Sequence, residues 1–261
     1  MVRSIALFLL IAFPLKGREG WLTASVPNSP PANQLQTDGN ACGPACLLDA
    51  FRSGGEKWRS SIARIKGTTD TARIRAIILG AGRRPSRLDP TKTRWSKRAG
   101  VNAIDLADMA NELRGERWMR TVKSSVFFKK ERETQSDLLR RTHKQLASAL
   151  KRELPPILLL RRVAFRSPQG SIQKSWLTIK GHFVVLTGLP TKLPRGTTSF
   201  PITYHDPWGG YQYKGTIRIT DQQTSGLPTL VADFPKSKIG RDLVRKNEPT
   251  CLSLSSAVGL F

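Results

Sequence analysis

The sequence predicts an α+β fold, with helices in the first half of the chain and strands in the second. Apolar residues recur at helical spacing as far as Leu150, whereas apolar, β-branched runs separated by Gly, Pro and Asp follow Pro155 and Pro156. With 261 residues, of which 39% are hydrophobic, the chain is long and apolar enough for one globular domain, so disorder is excluded as the default. We place this domain at residues 34–261.

The first residues have the pattern of a secretory signal. Arg3 opens a short basic region, and the apolar run 5–13 is too short to span a bilayer but long enough for the core of a signal peptide. Residues 1–25 are therefore predicted to be a signal peptide, with cleavage near the small residues Thr23 and Ser25. An earlier cut, an uncleaved anchor and a buried first strand stay open as alternatives. Export would place the protein outside the cell or in the cell envelope, where disulfides are permitted.

Local signals divide the remaining chain into elements. Residues 26–33 are rich in Pro and Asn and predict an extended linker. A helix is expected from Asn40 to the Gly54 and Gly55 pair, and Asn102 and Ser136 are expected to cap two further helices. Strands are expected at 157–163 and 182–186, around 202, at 211–219 and around 230.

The chain is strongly basic. Lys and Arg number 43 against 19 Asp and Glu, which gives a formal net charge of +24. Residues 52–98 alone hold 14 basic and three acidic residues. Such a run usually forms a solvated face, but it also fits a docking surface for an anionic polymer or an anionic membrane surface, with no specific nucleic acid indicated. Three cysteines and three histidines exclude a multi-cysteine zinc module, and no metal or organic cofactor is implied.

A candidate nucleophile stands at the start of the first predicted helix. Cys42 falls on its first turn, where unpaired backbone N–H groups and the positive end of the helix dipole favour thiolate over thiol. Gly43 leaves room beside the sulfur, and Pro44 suits an early helical position that needs no N–H. Gln36, six residues upstream, is predicted to stabilise an oxyanion together with the Cys42 backbone N–H.

The partners of this cysteine are expected in the strand-rich half. His182 opens an apolar strand after Gly181, which suits a base that ionises a thiol. Asp206 precedes Pro207 at the end of the next strand and is predicted to orient the imidazole. His205 is the competing base, but its neighbour on a strand points to the opposite face, so we treat His205 as structural.

These motifs carry a resemblance to papain-like cysteine peptidases, and most closely to the double-glycine-leader peptidases that process bacteriocin precursors and to their stand-alone relatives. The resemblance rests on Gln36, on Cys-Gly-Pro at 42–44, on Gly-His-Phe-Val-Val at 181–185 and on Asp-Pro at 206–207. It implies an α+β papain-like fold in which the helical part carries the nucleophile and packs on an antiparallel sheet that carries His and Asp. It also implies Cys42 as nucleophile, His182 as general base, Asp206 as orienting residue and Gln36 as oxyanion residue.

The expected function is therefore an exported thiol hydrolase that cleaves peptide or isopeptide bonds in a peptide or protein substrate, without a cofactor. Transglutaminase-like acyl transfer by the same residues is one alternative. The other is a catalytically silent papain-like module that binds acidic partners through residues 52–98, because Ala41 stands where members of the family often carry an acidic residue.

Two further cysteines allow more than one arrangement. Cys46 lies one helical turn after Cys42 and is expected to pack inward. It could instead pair with Cys251 after export or act as a resolving thiol for an oxidised Cys42. Trp208 is expected to wall the cleft or to fill the core.

Overall fold

The structure is a computed structural model that describes residues 20–169 and 171–261. Helix accounts for 28% and strand for 29%, and the sheet is antiparallel, which confirms the α+β class. The α-helices within these ranges are α1 (Cys42–Ser53), α2 (Glu56–Arg59), α3 (Asp70–Leu79), α4 (Ala103–Leu113) and α5 (Gln135–Lys151). The strands there are β1 (Trp21–Thr23), β2 (Trp95–Ser96), β3 (Gly100–Val101), β4 (Lys123–Val126), β5 (Ile157–Arg166), β6 (Ser175–Pro190), β7 (Ser199–Asp206), β8 (Tyr211–Arg218), β9 (Leu230–Asp233) and β10 (Thr250–Gly259).

Six strands form a closed ring of antiparallel pairs in the order β6, β5, β10, β9, β8, β7 and back to β6. The short β1 adds to β6, and β4 adds to β10. One apolar cluster includes side chains from these strands and from α5, among them Leu160, Tyr204 and Leu254. A second cluster lies between the sheet and the helices of the first half and includes Phe51 and Phe183. The first-half helices thus pack on the strands that follow them in the chain.

The helix starts follow local capping rules. Asn102 caps α4 as predicted, because its side-chain oxygen accepts from the backbone N–H groups of Ile104 and Asp105. The predicted cap of α5 at Ser136 is wrong. The cap is Thr134, whose hydroxyl accepts from the Asp137 N–H while the Asp137 carboxylate accepts from the Thr134 N–H. This reciprocal pair satisfies two backbone donors, which Ser136 in that turn would not do.

The residues before α1 are packed on the domain. Residues 1–19, which hold most of the predicted signal peptide, lie outside the described residues. Trp21–Thr23 pairs with β6, and the Ala24 N–H donates to Thr187 O at 2.9 Å, so cleavage near Thr23 would remove a strand of the sheet. The predicted linker 26–33 directly precedes the short 3₁₀ helix Gln34–Gln36. It is fixed to the domain, because the hydroxyls of Ser29 and Ser53 lie 2.7 Å apart. Within the described ranges, none of the helices combines the length and apolarity that crossing a membrane requires.

Candidate active site

The candidate nucleophile is the first residue of α1 and is almost fully buried. Cys42 is 9% exposed, and Ala41 at the N-cap offers no side-chain acceptor to the first-turn N–H groups. The backbone N–H groups of Gly43 and Phe183 lie beside the Cys42 sulfur and lower the pKa of the thiol. Glycine is needed next to the cysteine because a Cβ at position 43 would lie 2.3 Å from Cγ1 of Val101. The helix start and β6 therefore hold the sulfur between backbone donors.

His182 and Asp206 meet Cys42 from two neighbouring strands. The His182 imidazole lies beside the Cys42 side chain and lowers the pKa of its thiol, and the imidazole Nε2 donates to Asp206 Oδ1 at 2.7 Å. The same Oδ1 accepts from the Trp208 backbone N–H at 2.9 Å. Since Nε2 is held by Asp206, Nδ1 is the ring nitrogen that faces the sulfur. Cys42, His182 and Asp206 thus lie side by side, with the imidazole between the thiol and the carboxylate.

This arrangement favours the charged forms of both Cys42 and His182. Burial alone would raise the pKa of the Cys42 thiol, but the hydrogen bond and charge of His182, with the two backbone donors, bring it below the usual value of 9.0. Burial would lower the pKa of His182, yet its bonds to Asp206 and Cys42 and their charges raise it to about 10. The surroundings of the two groups therefore favour the thiolate form of Cys42 and the imidazolium form of His182.

The structure does not bring Gln36 into this group. Gln36 is exposed, and its Oε1 accepts a hydrogen bond from the Thr71 hydroxyl of α3 at 3.0 Å. Its neighbour Gln34 is 4% exposed, donates its backbone N–H to Pro207 O at 2.9 Å and has a buried Oε1 without a partner among the described residues. Both glutamines lie on one 3₁₀ helix, Gln34–Gln36, in which the side chains of residues two apart point about 120° away from each other. Of the two glutamines, Gln34 is the one buried next to the strand end that carries Asp206.

A second buried carboxylate and imidazole pair lies behind the nucleophile. Nδ1 of His205 is 3.1 Å from Asp49 Oδ2, and its Nε2 donates to Pro27 O at 3.1 Å. Burial raises the pKa of Asp49, although the bond and charge of His205 oppose the rise. His205 thus has the structural position expected for it, and Asp49 is a residue that the sequence analysis missed. The sequence feature that could have identified Asp49 is an acidic residue among apolar neighbours of α1, two turns after Cys42.

A cleft near the candidate site is lined by neighbours of Cys42 and His182, although neither of these residues nor Asp206 lines it. It has a volume of about 920 Å³, includes Gly181 beside His182, and includes Gly100 and Val101 next to the start of α1. We call it the Gly181 cleft. Its outer wall exposes apolar side chains, with Val126 57% and Phe128 40% exposed. The Trp208 ring is 52% exposed and so does not fill the core; it lies edge-on to His182 with ring centroids 6.4 Å apart.

The other cysteines are free thiols. Cys46 is fully buried in the helix-side core, which confirms that it packs inward. Burial raises its pKa well above 9.0, so it stays protonated. Cys251 is half-buried on β10, and burial raises its pKa to about 11. All three cysteines lie within the described residues and none forms a disulfide, so the Cys46 to Cys251 pairing is not present. Nor do the described residues contain three His, Cys, Asp or Glu side chains placed to hold a metal ion.

Compared with models of protein families, with curated proteins and with solved structures, the chain matches none of them. Functional inference therefore depends on the geometry of Cys42, His182 and Asp206, and on the cleft beside them.

Proposed function

We propose that this protein is a papain-like cysteine peptidase, similar to the double-glycine-leader peptidases, that hydrolyses peptide or isopeptide bonds. The observation that carries the proposal is the placement of His182 between Cys42 and Asp206, with Cys42 at the first turn of a helix. Three residues from separate parts of the chain meet here in the roles of nucleophile, base and orienting carboxylate.

In the proposed reaction, the Cys42 thiolate attacks the carbonyl carbon of the scissile bond, and a C–S bond forms. His182 Nδ1 gives its proton to the leaving nitrogen as the C–N bond breaks, which leaves an acyl enzyme. Water then attacks the thioester carbonyl while His182 takes a proton from it, and the C–S bond breaks to release the carboxylic acid and restore the pair. Asp206 holds the imidazole in position throughout without changing its own protonation.

We assign the oxyanion donors to the Cys42 backbone N–H and to the side-chain amide of Gln34. Gln34 is buried beside Pro207, the residue that follows Asp206, whereas Gln36 is exposed and bonded to Thr71. Replacing one oxyanion donor typically lowers turnover by about 100- to 1,000-fold. Gln34→Ala should show such a loss, and the matched variant Gln36→Ala should stay within a few-fold of wild type. The reverse ranking would restore the assignment to Gln36.

The Gly181 cleft is the proposed binding site for the substrate chain. Its lining includes Gly181, which precedes His182 in the chain, and Val101, which lies against Gly43, the residue after Cys42. Its wall exposes Val126 and Phe128. Apolar side chains of an extended peptide would cover this wall and remove it from water. Peptides with apolar residues on one side of the scissile bond are therefore the preferred substrate class. Phe128→Ser should raise KM for such peptides more than it lowers kcat.

The central experiment compares wild type with Cys42→Ala, using an alkylating probe read by peptide mass spectrometry and a quenched-fluorescence peptide library. Cys251→Ala is the matched control because it removes a thiol that the mechanism does not use. Loss of labelling and cleavage in Cys42→Ala alone supports the proposal, whereas equal cleavage by wild type and Cys42→Ala refutes it. Added amines distinguish hydrolysis from acyl transfer by the mass of the product.

Binding of an anionic polymer through residues 52–98 is the second candidate function. Several basic side chains of this segment are paired with carboxylates, for example Arg52 with Asp70. Others are exposed and have no carboxylate partner in the described part of the chain: Arg59, Lys66, Arg75, Arg83, Lys97 and Arg98. Affinity for heparin that falls steeply with salt, without any turnover, would favour a binding module over a peptidase.

The proposed setting is the cell envelope or the exterior, reached through the N-terminal segment. Mass spectrometry of the protein isolated from its own cells tests both export and processing. A mature N-terminus before Trp21 keeps β1 in the sheet, and recovery of the intact chain from the cytoplasm would refute export.

A further inference from the structure

A second cavity, of about 1000 Å³, opens on the strand ring and shares no lining residue with the Gly181 cleft. Five of the six ring strands line it, namely β5, β7, β8, β9 and β10. Its apolar lining includes Phe234 and Leu252, which belong to the ring-side core. Cavities of this size that combine apolar walls with a few charged groups are typical small-molecule sites.

The cavity contains a buried arginine that lacks a counterion. Arg162 is 9% exposed, and its Nε donates to Ile239 O at 3.0 Å. No carboxylate within the described ranges pairs with its guanidinium group. Burial lowers the pKa of Arg162, and the positive charge of Arg241 acts in the same direction. A buried charge next to a like charge is costly unless an opposite charge joins it.

Carboxylates do line the cavity, but they are already engaged elsewhere. Asp233 accepts from Arg218 Nε at 2.6 Å, and Glu248 accepts from Arg166 at 2.7 Å. Arg241 is exposed, and its Nη2 donates only to Pro235 O at 3.1 Å within the part of the chain that the structure describes. Together with Lys214, Arg162 and Arg241 leave the cavity with an uncompensated positive charge.

We propose that this cavity binds a small organic anion, whose carboxylate or phosphate group bonds to the guanidinium of Arg162 and whose apolar part lies on Phe234 and Leu252. A guanidinium group presents two parallel N–H donors that match two oxygens of such a head group. Arg241 would supply further charge at the mouth. The site is independent of the proposed peptidase reaction. Its lining does not include Cys42, His182 or Asp206 and shares no residue with the Gly181 cleft.

The test is isothermal titration calorimetry of the full chain with hexanoate, hexyl phosphate, inorganic phosphate and hexanol. Hexanoate and hexyl phosphate distinguish the two head groups, inorganic phosphate tests the head group alone, and hexanol tests the apolar part alone. Wild type should bind at least one organic anion more tightly than inorganic phosphate and should not bind hexanol. A charge-assisted hydrogen bond contributes enough that Arg162→Gln should weaken binding by about 10-fold or more.

Arg195→Gln is the matched control, since Arg195 is exposed on the loop after β6 and lies outside the cavity. It should bind like wild type. If Arg162→Gln does not fold, Arg241→Gln provides a milder test and should weaken binding several-fold. Cys251 also lines the cavity, so bound anion should slow its alkylation, which peptide mass spectrometry resolves from that of Cys42. Equal affinity of both arginine variants and wild type, equal binding of hexanol and hexanoate, or no binding of any compound would overturn the proposal.

Discussion

Two replacements of Asp206, by Asn and by Ala, distinguish the effect of its charge from the effect of its hydrogen bonds. Asp206 Oδ1 accepts two hydrogen bonds, from His182 Nε2 and from the Trp208 N–H. In Asp206→Asn, the amide oxygen can accept both, and the Trp208 N–H fixes that oxygen, rather than the NH₂ group, toward His182. Asp206→Asn therefore removes the charge and keeps the orientation, whereas Asp206→Ala removes both.

The magnitude follows from the pKa of His182. Its rise from 6.5 to about 10 corresponds to about 5 kcal/mol in favour of the imidazolium, provided by Asp206 and Cys42 against the cost of burial. Loss of the Asp206 charge should lower this pKa by about one pH unit or more. The basic limb of activity, where the imidazolium loses its proton, should move down accordingly. Asp206→Ala should lose a further 10- to 100-fold in turnover, roughly the effect of one hydrogen bond to a charged group.

The raised pKa of His182 also makes the stability of the fold depend on pH. The folded-state pKa of His182 lies above its unfolded value, so its contribution is full below pH 6.5 and is lost as the pH rises to about 10. The gap in free energy of unfolding between wild type and Asp206→Asn should therefore be largest near about pH 6 and shrink at higher pH.

The assay is the rate of Cys42 alkylation by iodoacetamide against pH, together with peptide cleavage and urea unfolding at the same pH values. Asp242→Asn is the control. Asp242 is exposed, so this substitution makes the same chemical change away from the site. A basic limb in Asp206→Asn that coincides with that of wild type would refute the electrostatic role, and equal turnover of the Asn and Ala variants would refute the orienting role.

Three further predictions concern α1. Asp49→Ala leaves the His205 Nδ1 group buried without its partner and should lower the free energy of unfolding by about 3 to 5 kcal/mol in urea titrations, far more than a surface Asp→Ala change. Gly43→Ala places a Cβ 2.3 Å from Val101 and should cost about 1 to 3 kcal/mol, and the added change Val101→Ala should recover much of that cost if the clash is its origin. Cys46→Ala should retain Cys42 alkylation and migrate like wild type on a non-reducing gel, because Cys46 is a core thiol and not a disulfide partner; a mobility difference would contradict the free-thiol assignment.

The parts of the site that the sequence predicted depend on local rules. Cys42 lies at a helix start because Gly43 and Pro44 suit a first turn, and Asp206 lies at a strand end because Pro207 stops the ladder. The alternation of side chains along a strand also predicted correctly that His205 and Asp206 face opposite sides of the strand. Each of these inferences needs only the few residues around the position concerned.

What the sequence did not predict depends on contacts between distant segments. Which of Gln34 and Gln36 is buried depends on the way their 3₁₀ helix packs against Pro207, and the spacing of residues along the chain does not determine that packing. Likewise, the segment 26–33 reads as a linker, although Pro27 O and the Ser29 hydroxyl meet partners on β7 and α1. Closure of the strand ring through β6 and β7 is also a pairing that local composition does not specify.

One strand joins the two buried pairs, and this explains how the site keeps its geometry. His205 and Asp206 are consecutive on β7 and therefore face opposite sides, so that Asp206 holds His182 while His205 holds Asp49. Asp49 and Cys42 lie two turns apart on the same helix. Because β7 also pairs with β6, the helix that carries Cys42 and the strand that carries His182 are both fixed to one short segment. A displacement of α1 relative to β6 would have to break the His205 to Asp49 pair before it could separate the Cys42 sulfur from the imidazole.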